Sequence, residues 1–272
     1  SEKRNDRNGI HSGKIMTESL YRDITSRTEL ALGSDVCGKL FDAKILIVGV
    51  GGVGSWCAEA LVRSGVKNIT LVDFDSVCAT NINRQAQAHS ENVGKAKVDE
   101  MKKKLLLINP SASIEVFNMI FSEENHEEFN IGSFDYIVDA IDFVKHKVYL
   151  LKLCSEKKKK IISSMGAGSR TDASKIRLST IAKTQNCSLA RAVRNALRRE
   201  NISLNIPCVY SEEIPVKRFG QSETDVEQDD GKLSKKIING SLMHITASFG
   251  LMIAGAIIRD AAGIEKISAW KN

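Results

Sequence analysis

The chain has 272 residues, enough to bury a substantial core and suited to one large α/β domain, alone or with a small appendage. Its formal net charge of +6 is modest, so an anionic partner is allowed but not demanded. Six cysteines (Cys37, Cys57, Cys78, Cys154, Cys187, Cys208) lie far apart, without a C-x-x-C pair or a Cys/His cluster at zinc spacing. This argues against structural zinc and a disulfide framework, and for a reducing, cytoplasmic setting.

Residues 1–20 are polar, charged and aperiodic, without the apolar stretch of a secretory signal, and read as a disordered tail. A helical stretch follows over 18–41, interrupted near Gly33. The run AKILIVGV (43–50) is continuously apolar and bounded by glycine, the pattern of a parallel strand covered on both faces. SWCAEALVRSG (55–65) predicts a helix with Trp56, Ala60, Leu61 and Val62 near one face, ending on Gly65. VKNITLVDFD (66–75) is a second strand with an acidic end. GKAKVDEMKKKLLLINP (94–110) spaces Val98, Met101, Leu105 and Ile108 as an amphipathic helix stopped by Pro110. SIEVFNMI (113–120) and FDYIVDAID (134–142) are the third and fourth strands, KHKVYLLKLCSEKKKK (145–160) a helix, and IISSMGAG (161–168) a fifth strand leading into a glycine turn.

That order predicts an α/β fold: a Rossmann-like, doubly wound, mostly parallel sheet with helices on both faces, followed by a C-terminal α+β extension. Past residue 170 the pattern loosens into a short strand in IRLSTIAK (176–183), a basic helix over 188–200 and strands near 207–217. The polar segment 218–238 has almost no apolar anchor and is expected to be a mobile loop. SLMHITASFGLMIAGAII (241–258) approaches bilayer-spanning length, but polar residues crowd its start and Arg259 and Asp260 close its end. It reads as a helix buried in the protein and not as a membrane span. Residues 21–262 are thus expected to form a single domain, with 263–272 a tail.

Gly49, Gly51 and Gly54 satisfy G-x-G-x-x-G between a strand and a helix, so backbone N–H groups at the helix start can hold a phosphate. Asp73, at the end of the second strand, stands where an acidic residue meets a ribose. These two features alone favour NAD or FAD. The run DFDSVCATNINRQ (73–85) changes the balance, because Asn81, Asn83, Arg84 and Gln85 cluster just beyond the ribose position, where a mononucleotide's phosphates would lie. Lys97 follows, and Arg84 and Lys97 supply two cations for a triphosphate. Asp142 closes the fourth strand in VDAID, and a carboxylate beside a triphosphate implies Mg²⁺. Asp139 competes with it for that role, since an unpaired carboxylate inside a strand is costly. The alternative for Lys97 is a solvated surface charge; His244, alone in an apolar helix, reads as a satisfied core residue and not a catalytic one.

Taken in order, G-x-G-G-V-G-S, D-x-D-x-V-x-x-x-N-x-N-R-Q, G-x-x-K and V-D-A-I-D resemble the ubiquitin-activating-like superfamily of adenylating enzymes. Within it, GGVGSW, DxVCxTNxNRQ and the block IAKTQNCSLARAVRNALRR are most similar to the tRNA threonylcarbamoyladenosine dehydratases, over roughly residues 20–260. The resemblance implies an ATP-binding site. Gly49, Gly51, Gly52 and Gly54 would lie on the phosphates and Asp73 on the ribose. Asp75, Asn81, Asn83 and Gln85 would line the nucleotide, with Arg84 and Lys97 on the triphosphate and Asp142 on Mg²⁺. It also implies a homodimer, in which Arg27, or else Arg22, enters the partner subunit's ATP site.

The implied reaction is adenylation of the carboxylate of threonylcarbamoyladenosine on tRNA, then intramolecular cyclisation with release of AMP and pyrophosphate. The alternative is adenylation of the C-terminal glycine of a ubiquitin-like or sulfur-carrier protein, with Cys187 as acceptor; an NAD-dependent oxidoreductase is a third reading. Arg191, Arg194, Arg198 and Arg199 recur at three- and four-residue spacing, a face that suits a tRNA phosphate backbone, or else a solvated charged face.

Overall fold

A computed structural model of the chain describes residues 6–216, 224–229, 232–237 and 240–270. Two helices, α1 (Asp6–Leu32) and α2 (Ser34–Asp42), are separated at Gly33, whose φ of 90° only glycine adopts readily. The alternating part follows: β1 (Lys44–Val48), α3 (Gly54–Arg63), β2 (Asn68–Val72), α4 (Lys97–Ile108), β3 (Ser113–Phe117), β4 (Tyr136–Asp139), α5 (Val144–Glu156) and β5 (Ile161–Ser164). Then come β6 (Ile176–Thr180), α6 (Ser188–Arg199), β7 (Pro207–Ser211), a hairpin of β8 (Thr224–Asp229) and β9 (Lys232–Ile237), and α7 (Met243–Ala261).

Seven strands form one sheet in the order β3-β2-β1-β4-β5-β7-β6, parallel except for β6, which runs antiparallel to β7. The chain leaves β1 toward β2 on one side and later returns to pair β4 on the other. The order therefore reverses between β1 and β4, and a ligand crevice opens there at the carboxyl ends of the strands. Alternation along β1 explains why it is apolar throughout. Ile45 and Ile47 join a core layer with Leu61, Met101 and Phe249, whereas Leu46 and Val48 join the opposite layer with Leu150, Leu151 and Val193.

On α3 the buried face is Cys57, Ala58, Leu61 and Val62, not the Trp56–Ala60 side, because Trp56 turns toward the polar loop after β2. Helix α7 packs along α3 with Ile245, Phe249, Ile253 and Ile257 fully buried, but Leu251 is 50% exposed, so the helix is covered on most sides and not all. No helix among the described residues is long and apolar enough to cross a membrane.

Two expectations differ from the structure. The 1–20 tail overlaps α1, which begins at Asp6; the segment contains no proline, so nothing in it prevents the helix from extending backward. Residues 1–5 and 271–272 lie outside the described residues. The expected loop 218–238 contains the β8–β9 pair, in register from Thr224↔Ile237 to Asp229↔Lys232. The intervening sequence, Asp230-Gly231, is a strong two-residue hairpin signal, and the high polarity of the flanks masks it. Residues 218–223, 230, 231 and 238 of that stretch are outside the described residues.

Because Phe249 is fully buried where α7 packs on α3, Phe249→Ala should destabilise the fold by about 3–5 kcal/mol, read as a lowered midpoint in urea unfolding.

Candidate active site

The glycine loop starts where β1 ends. Gly49 has φ 94°, and a Cβ on Gly54 would stand 1.8 Å from the Gly49 carbonyl oxygen, so the loop folds back on the first residue of α3 at a distance only glycine permits. Val53, the residue before α3, offers no side-chain cap; the Ser55 N–H donates to the Gly51 carbonyl at 3.1 Å, and no side chain caps the other N–H groups of the first turn, where an anion can be received. At Gly51 a Cβ would meet nothing closer than Gln85 Nε2 at 4.0 Å, so that side of the loop faces open space. The cradle fits a nucleotide phosphate.

Val50, between these glycines, is clamped at both backbone polar groups. Its N–H donates to Asp73 Oδ2 at 2.6 Å, and its carbonyl accepts from Gln87 Nε2 at 2.9 Å. Asp73 also accepts from the Asp75 N–H at 2.9 Å through Oδ1. Each carboxylate oxygen has a second lone pair, so a ribose hydroxyl can still be received. Burial pushes the Asp73 carboxyl above its ordinary pKa, opposed by Lys97 and the two backbone N–H groups.

Lys97, the first residue of α4, buries its side chain and pairs with Asp75 at 2.6 Å. The solvated-face alternative is thereby corrected: the side chain is buried and its ammonium is held by Asp75. Arg84 is half-buried. Its guanidinium donates to the Thr80 carbonyl at 2.8 Å and to Asn83 Oδ1 at 2.9 Å. Burial draws its pKa below the usual arginine value, and it stays a cation. Asn83 Nδ2 in turn donates to the Ser241 carbonyl at 2.9 Å, fastening the loop to the approach to α7.

Asn81 is buried, and its Oδ1 accepts the Cys78 N–H at 3.0 Å, a bond within its own turn. Gln85 is buried and accepts from Gln87 Nε2 at 3.2 Å. Asp142 is exposed, three residues beyond β4. Asp139 is fully buried but not unpaired, since Lys147 meets it at 2.7 Å.

Several contributors have no separate sequence signal. Ser55 Oγ accepts the Ala86 N–H at 3.1 Å and Trp56 Nε1 donates to the Arg84 carbonyl at 2.9 Å, so the start of α3 holds the 81–87 loop directly. Gln87 has an amide oxygen that is buried without a hydrogen-bond partner. Its signal, a second glutamine two residues beyond Gln85, is meaningful only once the clamp on Val50 is seen.

Arg27 is exposed on α1. That helix is anchored by Tyr21 Oη donating to the Gly65 carbonyl at 2.7 Å, at the far end of α3 from the glycine loop. On α6, Arg191, Arg198 and Arg199 are exposed. Arg194 differs: its guanidinium donates to the Thr184 carbonyl at 2.8 Å and to Thr184 Oγ1, closing the preceding turn. Cys187 is buried at the start of α6, where its Sγ accepts the Ala190 N–H at 3.4 Å. His244 is exposed, with Nε2 2.9 Å from the Thr171 carbonyl oxygen, and so is not a core residue.

Residues 25–269 match the ThiF family. The tRNA threonylcarbamoyladenosine dehydratase of Bacillus subtilis is 38% identical over 236 residues, covering 86% of this chain and 93% of that protein. Among solved structures, the Escherichia coli tRNA N6-threonylcarbamoyladenosine dehydratase in complex with ATP superposes with a TM-score of 0.79 at 31% identity, over 89% of this chain and 95% of that one. Its complex with AMP gives the same TM-score at 32% identity, with the same shares of the two chains.

Removing the Gln87 clamp leaves the Val50 carbonyl unpaired in a buried place. Gln87→Leu should raise the KM for ATP about tenfold, equivalent to about 1.4 kcal/mol, with a native circular-dichroism spectrum.

Proposed function

The chain belongs to the ThiF family, and we propose that it is an ATP-dependent tRNA threonylcarbamoyladenosine dehydratase. The observation that carries this reading is the seating of Arg84 and Lys97 beside a glycine cradle whose geometry is held by Asp73 and Gln87. An NAD or FAD site places a ribose there, with no phosphate for two fixed cations to meet. A triphosphate supplies one, and similarity to a dehydratase solved with ATP and with AMP over nearly its whole length supports the same nucleotide.

In this reaction the threonylcarbamoyl carboxylate attacks the α-phosphorus of ATP, and the bond to the bridging oxygen breaks to release pyrophosphate. Arg84, Lys97 and the N–H groups at the start of α3 face the charge that builds on the phosphates, and their internal bonds fix them before reaction. A ureido nitrogen of the same side chain then attacks the activated carbonyl, loses its proton and expels AMP. Because the nucleophile is already tethered, ring closure needs no protein nucleophile.

Mg²⁺ bound to the triphosphate would add positive charge. No group of three potential ligands occurs among the described residues, so such an ion would take most of its oxygens from ATP, with Asp142 as the protein's contribution. Residues 21–262 act as one adenylation domain. Arg27 serves the site of a second copy, since α1 is anchored at the end of α3 away from its own glycine loop. A 10-residue helix holds those two ends about 15 Å apart.

The alternative acceptor, a protein C-terminal glycine passed to Cys187, is disfavoured by the burial of that thiol at a helix start. Arg191, Arg198 and Arg199 form the tRNA-facing set, with Arg194 as their structural anchor. Arg84→Ala should lower kcat about 10²–10³-fold without loss of fold, and Cys187→Ala should leave turnover intact. The assay is mass spectrometry of the modified nucleoside, where product has lost one water; carrier-protein-stimulated pyrophosphate exchange without that product would overturn the assignment. Charge reversal at Arg191, Arg198 and Arg199 together should raise the KM for tRNA and flatten its salt dependence by about two units of log–log slope, leaving ATP binding unchanged.

A further inference from the structure

The carboxyl end of β4 holds an ion pair that the adenylation chemistry above does not use. Lys147 and Asp139 are both 0% exposed, with Lys147 Nζ 2.7 Å from Asp139 Oδ2. Ser163 Oγ donates to the same oxygen at 2.5 Å, and Lys147 Nζ reaches Ser163 Oγ at 3.3 Å, which ties β4, β5 and α5 together. Stability does not require such a pair. Two charges withdrawn this far from water lose hydration that their attraction only roughly repays, and apolar residues of similar size would hold the elements as well.

What an apolar pair would not supply is the carboxylate that takes an N–H from within the loop of residues 140–143, whose two ends the backbone itself ties down. The Ala140 N–H donates to the Val48 carbonyl at 2.8 Å, tying the loop to β1. The Ile141 N–H donates to Asp139 Oδ1 at 3.1 Å. The Lys147 N–H donates to the Phe143 carbonyl at 3.0 Å. Lys147 therefore holds the end of the loop with its backbone and, with its side chain, orients the carboxylate that holds the middle. Asp142 lies between those two points. The same loop abuts the phosphate cradle, for a Cβ on Gly49 would stand 2.6 Å from the Ala140 carbonyl oxygen.

We propose that Lys147, acting through Asp139, is a positioning residue that fixes the Asp142 carboxylate for the magnesium ion of bound ATP. This rests on the reading of Asp142 as the protein's contribution to that ion. Side chains that orient a metal-binding carboxylate affect ion affinity without touching the ion. The loop is short, and the bond from the Ile141 N–H to Asp139 Oδ1 fixes the peptide between Ala140 and Ile141, so loosening Asp139 releases the chain one peptide ahead of Asp142.

The experiment is calorimetric ATP binding to the full chain without tRNA, so that no turnover occurs, with and without Mg²⁺, alongside thermal melting. Lys147→Met should reduce the Mg²⁺ enhancement of ATP affinity about 10–100-fold while metal-free ATP binds as in the unmodified chain. Lys147→Arg should restore the enhancement. Since Lys147→Met strands a buried carboxylate at a cost to folding, the pair Asp139→Asn with Lys147→Met removes both charges and should show the same loss.

A lowered melting temperature with an unchanged Mg²⁺ enhancement in these variants overturns the proposal and leaves the pair purely structural. Asp142→Asn separates the two ideas. If it keeps the full enhancement, the metal role of Asp142 falls and the positioning proposal with it; if it loses the enhancement while the Lys147 variants keep theirs, only positioning falls.

Discussion

The site depends on how Val50 is held. A glycine loop is useful to a phosphate only if its N–H groups point one way, and glycine's freedom, which permits the close turn at Gly54, also permits many others. Here the freedom is removed from outside the loop. Asp73 takes the Val50 N–H and Gln87 supplies a donor to its carbonyl, so one peptide group on each side of Val50 is fixed by a different segment. The cost of ordering the loop is met during folding, and a nucleotide meets N–H groups already oriented.

The two clamping residues bracket the stretch that carries Arg84 and the carboxylate that holds Lys97. Between Asp73 and Gln87 the chain holds Lys97 through Asp75 and presents Arg84 on a loop secured by Ser55, Trp56 and Asn83. Loop and cradle therefore form a single hydrogen-bonded unit. A long arginine side chain on a surface loop would ordinarily lose considerable rotamer freedom on binding a phosphate. Arg84 has lost part of it already to Thr80 and Asn83.

The parallel core was legible because its strands are apolar on both faces and stand between glycine and acidic punctuation, as in Lys44–Val48 and Asn68–Val72. The cations were legible as residue types in a place a dinucleotide would leave apolar. Roles that depend on neighbours distant in sequence were not. Arg194 shares the spacing of its neighbours but lies where Thr184 and Ile181 offer carbonyls. Lys147 looks like one more basic residue of an amphipathic helix, and only the register that sets Asp139 beside Ser163 makes its burial intelligible. The hairpin at Thr224–Ile237 was missed because polar composition outweighed its Asp-Gly dipeptide.

The choice of acceptor follows from how α6 is built. Its first residue boundary is spent on Cys187, whose sulfur takes the Ala190 N–H and is packed against Gly166, where a Cβ would come within 3.3 Å of it. A thiol so placed cannot accept an acyl group without unwinding the first turn of the helix. The same contact brings the start of α6 to the loop that follows β5, at the carboxyl edge of the sheet. Arg191 is exposed in that first turn, with Arg198 and Arg199 about two turns further along. The helix thus withholds its nucleophile and extends positive charge away from the reacting carbonyl, an arrangement with little use for a thioester route and suited to a polyanionic substrate whose own side chain closes the ring.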